Sequence, residues 1–209
     1  MSGRLTLLFK VLNMGNASTR PKGKYLNEII SKCTNLEIDD AIQIFKDFQR
    51  QSGGKGKLSE DDFVKVYIEA FHGKSEISAL ARNIFHAFDT DHNGFVEFEE
   101  FVVGLSVTEA CLVEADQEMR IKKMKWAFDV YDKDRSNTID RHEMRLIVRA
   151  VADVVTVELF LGEETPDEFA DRLFEEADEN KDGKITFEEF QKAAEHNDTL
   201  VNMLLPAPV

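Results

Sequence analysis

Cysteine is scarce in this sequence: Cys33 and Cys111 are the only two in 209 residues. Two thiols this far apart form no disulfide framework and match no metal-ligand spacing. Reduced thiols in a reducing compartment, by default the cytosol, are expected. Aromatics other than phenylalanine are also few, with one Trp and three Tyr against sixteen Phe. Such a set suits many small helix-to-helix contacts rather than stacking on bases. Basic residues are outnumbered, 26 to 40, for a net charge of −14. A field of that sign repels nucleic acid and anionic lipid and attracts cations. No apolar run approaches the roughly 18 residues of a membrane helix. The apolar stretch Leu5 to Leu12 is short and broken by Lys10, so no secretory signal is expected. Hydrophobic residues at 43% still suffice for a real core, which argues against a disordered acidic chain.

The charge is uneven. Residues 1–27 carry Arg4, Lys10, Arg20, Lys22 and Lys24 and no acid; Glu28 is the first. Gly, Asn, Ser, Thr and Pro cluster from Asn13 to Gly23, as in a loose segment. Residues 1–23 are therefore read as a basic tail. Such a tail serves as a solubilising end, as a contact to an anionic membrane surface, or as a segment that folds back on the acidic body.

An internal repeat organises the rest. The segment from Phe85 to Gly94 recurs in type from Trp126 to Asn137 and from Leu173 to Gly183. Each copy has a Phe-containing amphipathic stretch, a dozen oxygen-rich residues, and a second amphipathic stretch. The dozens follow the calcium-loop pattern D-x-[DN]-x-[DN]-G-x5-E. The first supplies Asp89, Asp91, Asn93, Glu97 and Glu100 at positions 1, 3, 5, 9 and 12. The middle one supplies Asp132, Asp134, Ser136, Asp140 and Glu143, and the last Asp178, Asn180, Asp182, Thr186 and Glu189. Position 7 lends only its backbone carbonyl, here from Phe95, Thr138 and Lys184. Position 6 needs positive φ, which Gly94 and Gly183 adopt freely and Asn137 tolerates.

Calcium takes six to eight hard oxygens, and these spacings turn them inward in succession. Solvated acidic turns could produce one such match; three in phase with flanking Phe argue against that. The loops hold four, four and three carboxylates in chain order. Three calcium ions are expected as cofactors, with the middle loop the least regular because of Ser136 and Asn137.

A fourth copy lies upstream without its ligands. Placing Leu58 at position 8 puts Gln51, Gly53 and Lys55 at positions 1, 3 and 5, and Asp62 at 12; a second alignment from Phe48 needs a loop two residues longer. Only one good carboxylate remains, and Lys55 and Lys57 repel a cation. This hand is expected to be silent and to pair with the loop from Asp89.

The fold class that follows is all-α, with four helix-loop-helix hands in two paired lobes and short two-stranded pairing between loops. Helices are expected at 25–33, 37–49, 60–71, 77–88, 98–105, 116–131, 141–153, 166–177, 187–196 and 198–205. The lobes span 24–105 and 116–205, joined by an acidic linker at 106–115. Thr165-Pro166-Asp167-Glu168 is a helix start.

With these motifs in view, the chain resembles the neuronal calcium sensor family, the recoverin, frequenin and visinin-like group. The resemblance rests on Gly104-Leu105-Ser106-Val107-Thr108 after the second hand and on Lys123 through Asp132 leading into the third. It rests also on Glu164-Thr165-Pro166 before the last and on the silent first hand. It covers residues 14–205. The resemblance implies a compact four-hand fold and a calcium-dependent regulator that exposes an apolar groove to a helix of a target protein. Departures exist. The family's first loop usually carries Cys-Pro, where Gly53-Gly54 stands here, and the inter-lobe segment with Cys111 is longer. The family also begins Met-Gly-Asn and is myristoylated on that Gly. Here Met14-Gly15-Asn16 is internal, so Gly15 is a lipidation site only if translation starts at Met14; an accidental Met-Gly is the other reading.

The leading expectation is a cytoplasmic calcium sensor, held in part at membranes through the basic tail. The candidate target groove is formed by Phe45, Phe48, Phe63, Tyr67, Phe71, Phe85, Phe88 and Phe101. The same rings also suit plain lobe core. Leu200, Val201, Leu204 and Leu205 are read as a terminal helix that covers the groove or packs on the second lobe. The alternatives are a passive calcium buffer and a calcium-binding regulatory subunit of an enzyme. Catalysis by the chain itself is not expected. Its five histidines pair with no Cys or Ser motif, and Gly53-Gly54-Lys55-Gly56 lacks phosphate-loop spacing.

Overall fold

The computed structural model describes residues 27–28, 38–70, 78–109, 117–152, 164–197 and 199–204. The basic tail with Gly15, most of the expected helix 25–33, Phe71 and Leu205 lie outside the described residues. Helices α1 (Ile38–Gln51) and α2 (Glu60–Ala70) flank strand β1 (Lys57–Ser59). Helices α3 (Ser78–Phe88) and α4 (Phe98–Glu109) flank β2 (Phe95–Glu97). In the second half, α5 (Gln117–Tyr131) and α6 (Arg141–Ala152) flank β3 (Thr138–Asp140). Then α7 (Pro166–Ala177) and α8 (Phe187–His196) flank β4 (Lys184–Thr186), followed by α9 (Thr199–Asn202). The chain is thus mostly helical, with the helix-loop-helix unit repeated and the units joined in pairs.

The joints are two antiparallel ladders, β1 with β2 and β3 with β4. Leu58 faces Val96, and Ile139 faces Ile185. All four are buried, Val96, Ile139 and Ile185 completely. The register puts Leu58 opposite Val96, the eighth residue of the loop from Asp89. Gly53, Gly54 and Gly56 all take positive φ, a backbone that glycine adopts without the steric cost a side chain brings. Ser59 Oγ donates to Asp62 at 2.8 Å and accepts from the Asp62 N–H at 3.3 Å. Lys57 lays its ammonium over the Phe95 ring, 3.4 Å from the centroid. The first hand therefore braces its neighbour through a ladder and a cation–π contact.

Phenylalanine fills both lobes. In the first, Phe48 meets Phe98 and Phe101, and Phe63 meets Phe85 and Phe88, with centroids 5.3–5.7 Å apart. In the second, Phe128 stands edge-on to Phe187 and Phe190 at 5.5 and 5.7 Å. Trp126 is buried as well.

Helix ends follow local chemistry. Thr165 caps α7 in a full capping box with Glu168, with Pro166 in the first turn. Helix α4 runs to Glu109, past the expected end at Leu105. The extension is packed, since Val107 is buried and the Ser106 hydroxyl donates to the Val103 carbonyl at 2.9 Å. Helix α9 stops at Asn202, shorter than the expected 198–205, but Leu200, Val201, Met203 and Leu204 are all buried.

Arginines on α6 fasten α7. Arg145 grips both oxygens of Asp171 at 2.8 and 2.5 Å, and Arg149 both of Asp167 at 2.6 Å. The bidentate fit matches a planar guanidinium to a planar carboxylate. Among the described residues no helix is long and apolar enough to cross a membrane.

Candidate calcium centres

Each loop from Asp89, Asp132 and Asp178 sits between an incoming helix, α3, α5 or α7, and an outgoing one, α4, α6 or α8. The first aspartate closes each loop in the same way. Asp89 accepts from the N–H groups of Asn93 and Gly94, both at 3.1 Å. Asp132 does so from Ser136 and Asn137 at 2.9 Å. Asp178 does so from Asp182 at 3.2 Å and Gly183 at 3.0 Å. Position 3 repeats as well: Asp91, Asp134 and Asn180 each accept from the N–H two residues on, at 2.8–3.1 Å.

The sixth residue turns the chain. Gly94, Asn137 and Gly183 have φ of 81°, 62° and 84°. Position 4 also lies in the left-handed region, with His92, Arg135 and Lys181 at 60°, 57° and 58°. The sequence pattern does not announce this second reversal, because no glycine marks it.

The twelfth residue spans the loop. One oxygen of Glu100 accepts from the Thr90 and Asp91 N–H groups at 2.9 and 3.3 Å, and the other from Glu97 N–H at 3.0 Å. Glu143 joins Lys133 and Asp134 to Asp140 in the same manner, at 2.9, 3.3 and 2.9 Å. Glu189 joins Asn180 to Thr186 at 3.3 and 2.9 Å. All three glutamates belong to the first turn of the outgoing helix. Glu189 is also the third residue of a capping box with Thr186.

The remaining candidates have placed partners. Asn93 Nδ2 donates to Asp91 and Glu97 at 2.9 and 3.2 Å, and Asn93 Oδ1 accepts from Phe95 N–H. Ser136 Oγ donates to the Thr138 carbonyl at 3.0 Å, and Asp140 accepts from Glu143 N–H at 2.8 Å. Asp182 accepts from Lys184 N–H at 2.9 Å.

Two carboxylate clusters stand out among the described residues. Asp89, Asp91 and Glu100 bring oxygens within 4.8 Å of one another, as do Asp132, Asp134 and Glu143. Burial pushes the Asp132 and Glu143 carboxyls above their ordinary values. Burial acts upward on Glu189, but hydrogen bonds from Thr186, Asn180 and Glu179 together outweigh it and hold that carboxyl lower. Charged oxygens crowded in partly dry loops favour a bound cation, and donors that are all hard oxygens fit calcium rather than a thiophilic metal. The residues present fit the ion.

The aromatic candidates are already packed. Phe48, Phe63, Tyr67, Phe85, Phe88 and Phe101 are buried in the first-lobe core, and Phe45 is half-buried with its ring edge-on to Phe98 at 4.9 Å. Sequence reasoning missed the contacts between lobes. Asn83 on α3 donates to the Val130 carbonyl on α5 at 3.3 Å, and Arg135 donates to the His86 carbonyl at 3.3 Å. No periodicity marks them, because they depend on how the two lobes meet.

Family models agree with this geometry. An EF-hand domain pair matches residues 121–195, and an EF hand domain matches residues 80–108. Among curated proteins, the chain is similar to Neuronal calcium sensor 1 of Lymnaea stagnalis. Identity is 37% over 193 residues, covering 91% of this chain and 96% of that protein. Both findings indicate calcium binding. The chain belongs to the neuronal calcium sensor family of EF-hand proteins.

Proposed function

We propose that this chain is a calcium sensor with three filled loops that regulates a target protein through an apolar groove in its first lobe. The observation that carries the reading is the double role of Glu100, Glu143 and Glu189. Each spans its loop from end to end, yet each is fixed in the first turn of the outgoing helix. A change in loop closure therefore moves α4, α6 or α8.

The ions would be held by Asp89, Asp91, Asn93, Phe95 carbonyl, Glu97 and Glu100 in the second hand. In the third the donors are Asp132, Asp134, Ser136, Thr138 carbonyl, Asp140 and Glu143. In the fourth they are Asp178, Asn180, Asp182, Lys184 carbonyl, Thr186 and Glu189. When bound, calcium supplies a divalent charge that draws these oxygens together. The fourth loop has fewer carboxylates, but its backbone hydrogen bonds repeat those of the other two.

Movement of α4 uncovers part of the packed Phe set, from Phe45 to Phe101, for an amphipathic target helix. The chain works by binding and not by catalysis. It acts in the cytoplasm, and the basic residues ahead of the first lobe draw it to anionic membranes. Where translation starts at Met14, Gly15 becomes available for myristoylation, and Arg20, Lys22 and Lys24 supply the second membrane signal a single chain requires. N-terminal mass spectrometry of native protein decides this; a sole form beginning at Met1 or Ser2 removes the lipid.

Retention on a phenyl matrix tests the sensor reading. Calcium should produce retention that chelator reverses. Equal retention in both conditions would point to a buffer.

A further inference from the structure

The ends of the incoming helices of the second and third hands are satisfied by each other's lobe. A helix leaves its last four carbonyls without partners inside the helix. At the end of α3, the Phe85 and Phe88 carbonyls accept from Asp89 and Thr90. The His86 carbonyl instead accepts from Arg135 at 3.3 Å, and Arg135 is the fourth residue of the third loop. At the end of α5, the Phe128 and Tyr131 carbonyls accept from Asp132 and Lys133. The Val130 carbonyl accepts from Asn83 of α3 at 3.3 Å.

The two bonds are reciprocal. Each runs from one hand to the last turn of the helix that delivers the other hand's first aspartate, Asp89 or Asp132. The Arg135 bond lies on the exposed loop, and the Asn83 bond lies in the interior. Val130 is fully buried and Asn83 nearly so, so losing that bond strands two buried polar groups. Arg135 is held in the left-handed region at φ 57°, which a non-glycine residue occupies at a steric cost. That backbone belongs to the loop itself, so the arginine's position follows the closure of the third loop.

We propose that Arg135 and Asn83 are positioning residues that couple the second and third loops, so that loading either one raises the affinity of the other. This rests on the reading that both loops bind calcium. Coupling between sites is reciprocal by thermodynamic necessity, and its usual size is about 5- to 150-fold. α3 packs on α5 and α6, and α4 on α5, so packed helices connect the two loops, with these two bonds at the ends of that path.

Calorimetric calcium titration tests it on the full chain carrying Glu189→Gln, which leaves the second and third loops. Adding Glu143→Gln or Glu100→Gln measures each remaining site alone. The affinity of the two-site protein should exceed the product of the isolated sites by a coupling factor of roughly tenfold. Arg135→Ala and Asn83→Ala should each lower that factor several-fold, and Arg135→Lys, which keeps a donor, should retain part of it. If Asn83→Ala does not fold, the exposed Arg135 carries the test alone. A plain stability role would weaken binding while leaving the factor unchanged, and that result overturns the inference. Absence of calcium binding at either loop overturns the proposed function and the coupling with it.

Discussion

Tyr131, at the end of α5, donates its hydroxyl hydrogen to the backbone carbonyl of Leu200, 3.0 Å away across 69 residues of chain. The phenol is completely buried, and burial holds its pKa above the ordinary value, so the hydroxyl stays protonated. This bond ties α9 to the helix that leads into the third loop. Tyr131→Phe keeps the ring against Phe190 and removes the donor. A buried carbonyl left unpaired costs about 1–3 kcal/mol. Denaturant unfolding should show that loss, and hydrogen exchange should quicken from Leu200 to Leu204 before it does elsewhere. An unchanged midpoint would show that α9 is held by packing alone.

Gly104 and Gly183 separate two kinds of glycine. A Cβ at Gly104 would meet the Phe88 ring at 2.6–2.8 Å, so the ring must shift. Gly104→Ala should cost about 1–3 kcal/mol through overpacking and weaken calcium binding at the Asp89 loop, which follows Phe88. A Cβ at Gly183 meets nothing within 4 Å, but φ is 84°. Gly183→Ala should cost about 1–2 kcal/mol from backbone conformation alone, felt at the last loop. Thermal unfolding with calorimetry on both variants checks the pair. Equal damage at both loops would contradict this division.

Glu143 predicts a trade between loaded and unloaded stability. Burial raises its carboxyl pKa, with neighbouring Asp140 and Asp134 adding repulsion. The folded state therefore holds this proton more tightly than the unfolded chain. In chelator, the ionised group lowers stability above its folded pKa, and that penalty fades as pH falls through the carboxylate range. Glu143→Gln should remove the penalty at neutral pH and make the calcium-free protein more stable. It should also weaken calcium binding at this loop by at least about tenfold, or 1.4 kcal/mol. Unfolding in chelator at several pH values checks both signs; a less stable variant at pH 7 would show that the lost hydrogen bond to Asp140 N–H outweighs the charge.

His86 should titrate below the ordinary imidazole value of 6.5, because burial and then Arg135 disfavour its charged form. The unfolded chain takes up that proton first, so stability contributed by neutral His86 is full above pH 6.5 and is lost as pH falls toward the folded pKa. NMR titration of the ring reports the midpoint, and Arg135→Ala should raise it. A midpoint at or above 6.5 in the wild type would contradict the burial seen here.

Much of this was legible in the sequence because the chemistry is local. Loop spacing placed Asp89, Asp132 and Asp178, and the apolar eighth residue placed Leu58 opposite Val96. The cap at Thr165 and the span of α8 were equally plain. What was not legible is long-range or depends on backbone without a glycine. Asn83 reads as one more polar residue on an amphipathic helix until α5 lies beside it. His92, Arg135 and Lys181 carry no mark of a left-handed turn. The end of α4 was placed too early, at Leu105, because packing extends the helix: Val107 is buried and Ser106 bonds back to Val103.

Native mass spectrometry of the full chain across a calcium titration tests the central claim most directly. Three ions should add to the wild type, and one should disappear with each of Glu100→Gln, Glu143→Gln and Glu189→Gln. A wild-type count of one or none, or a count those variants leave unchanged, would contradict it.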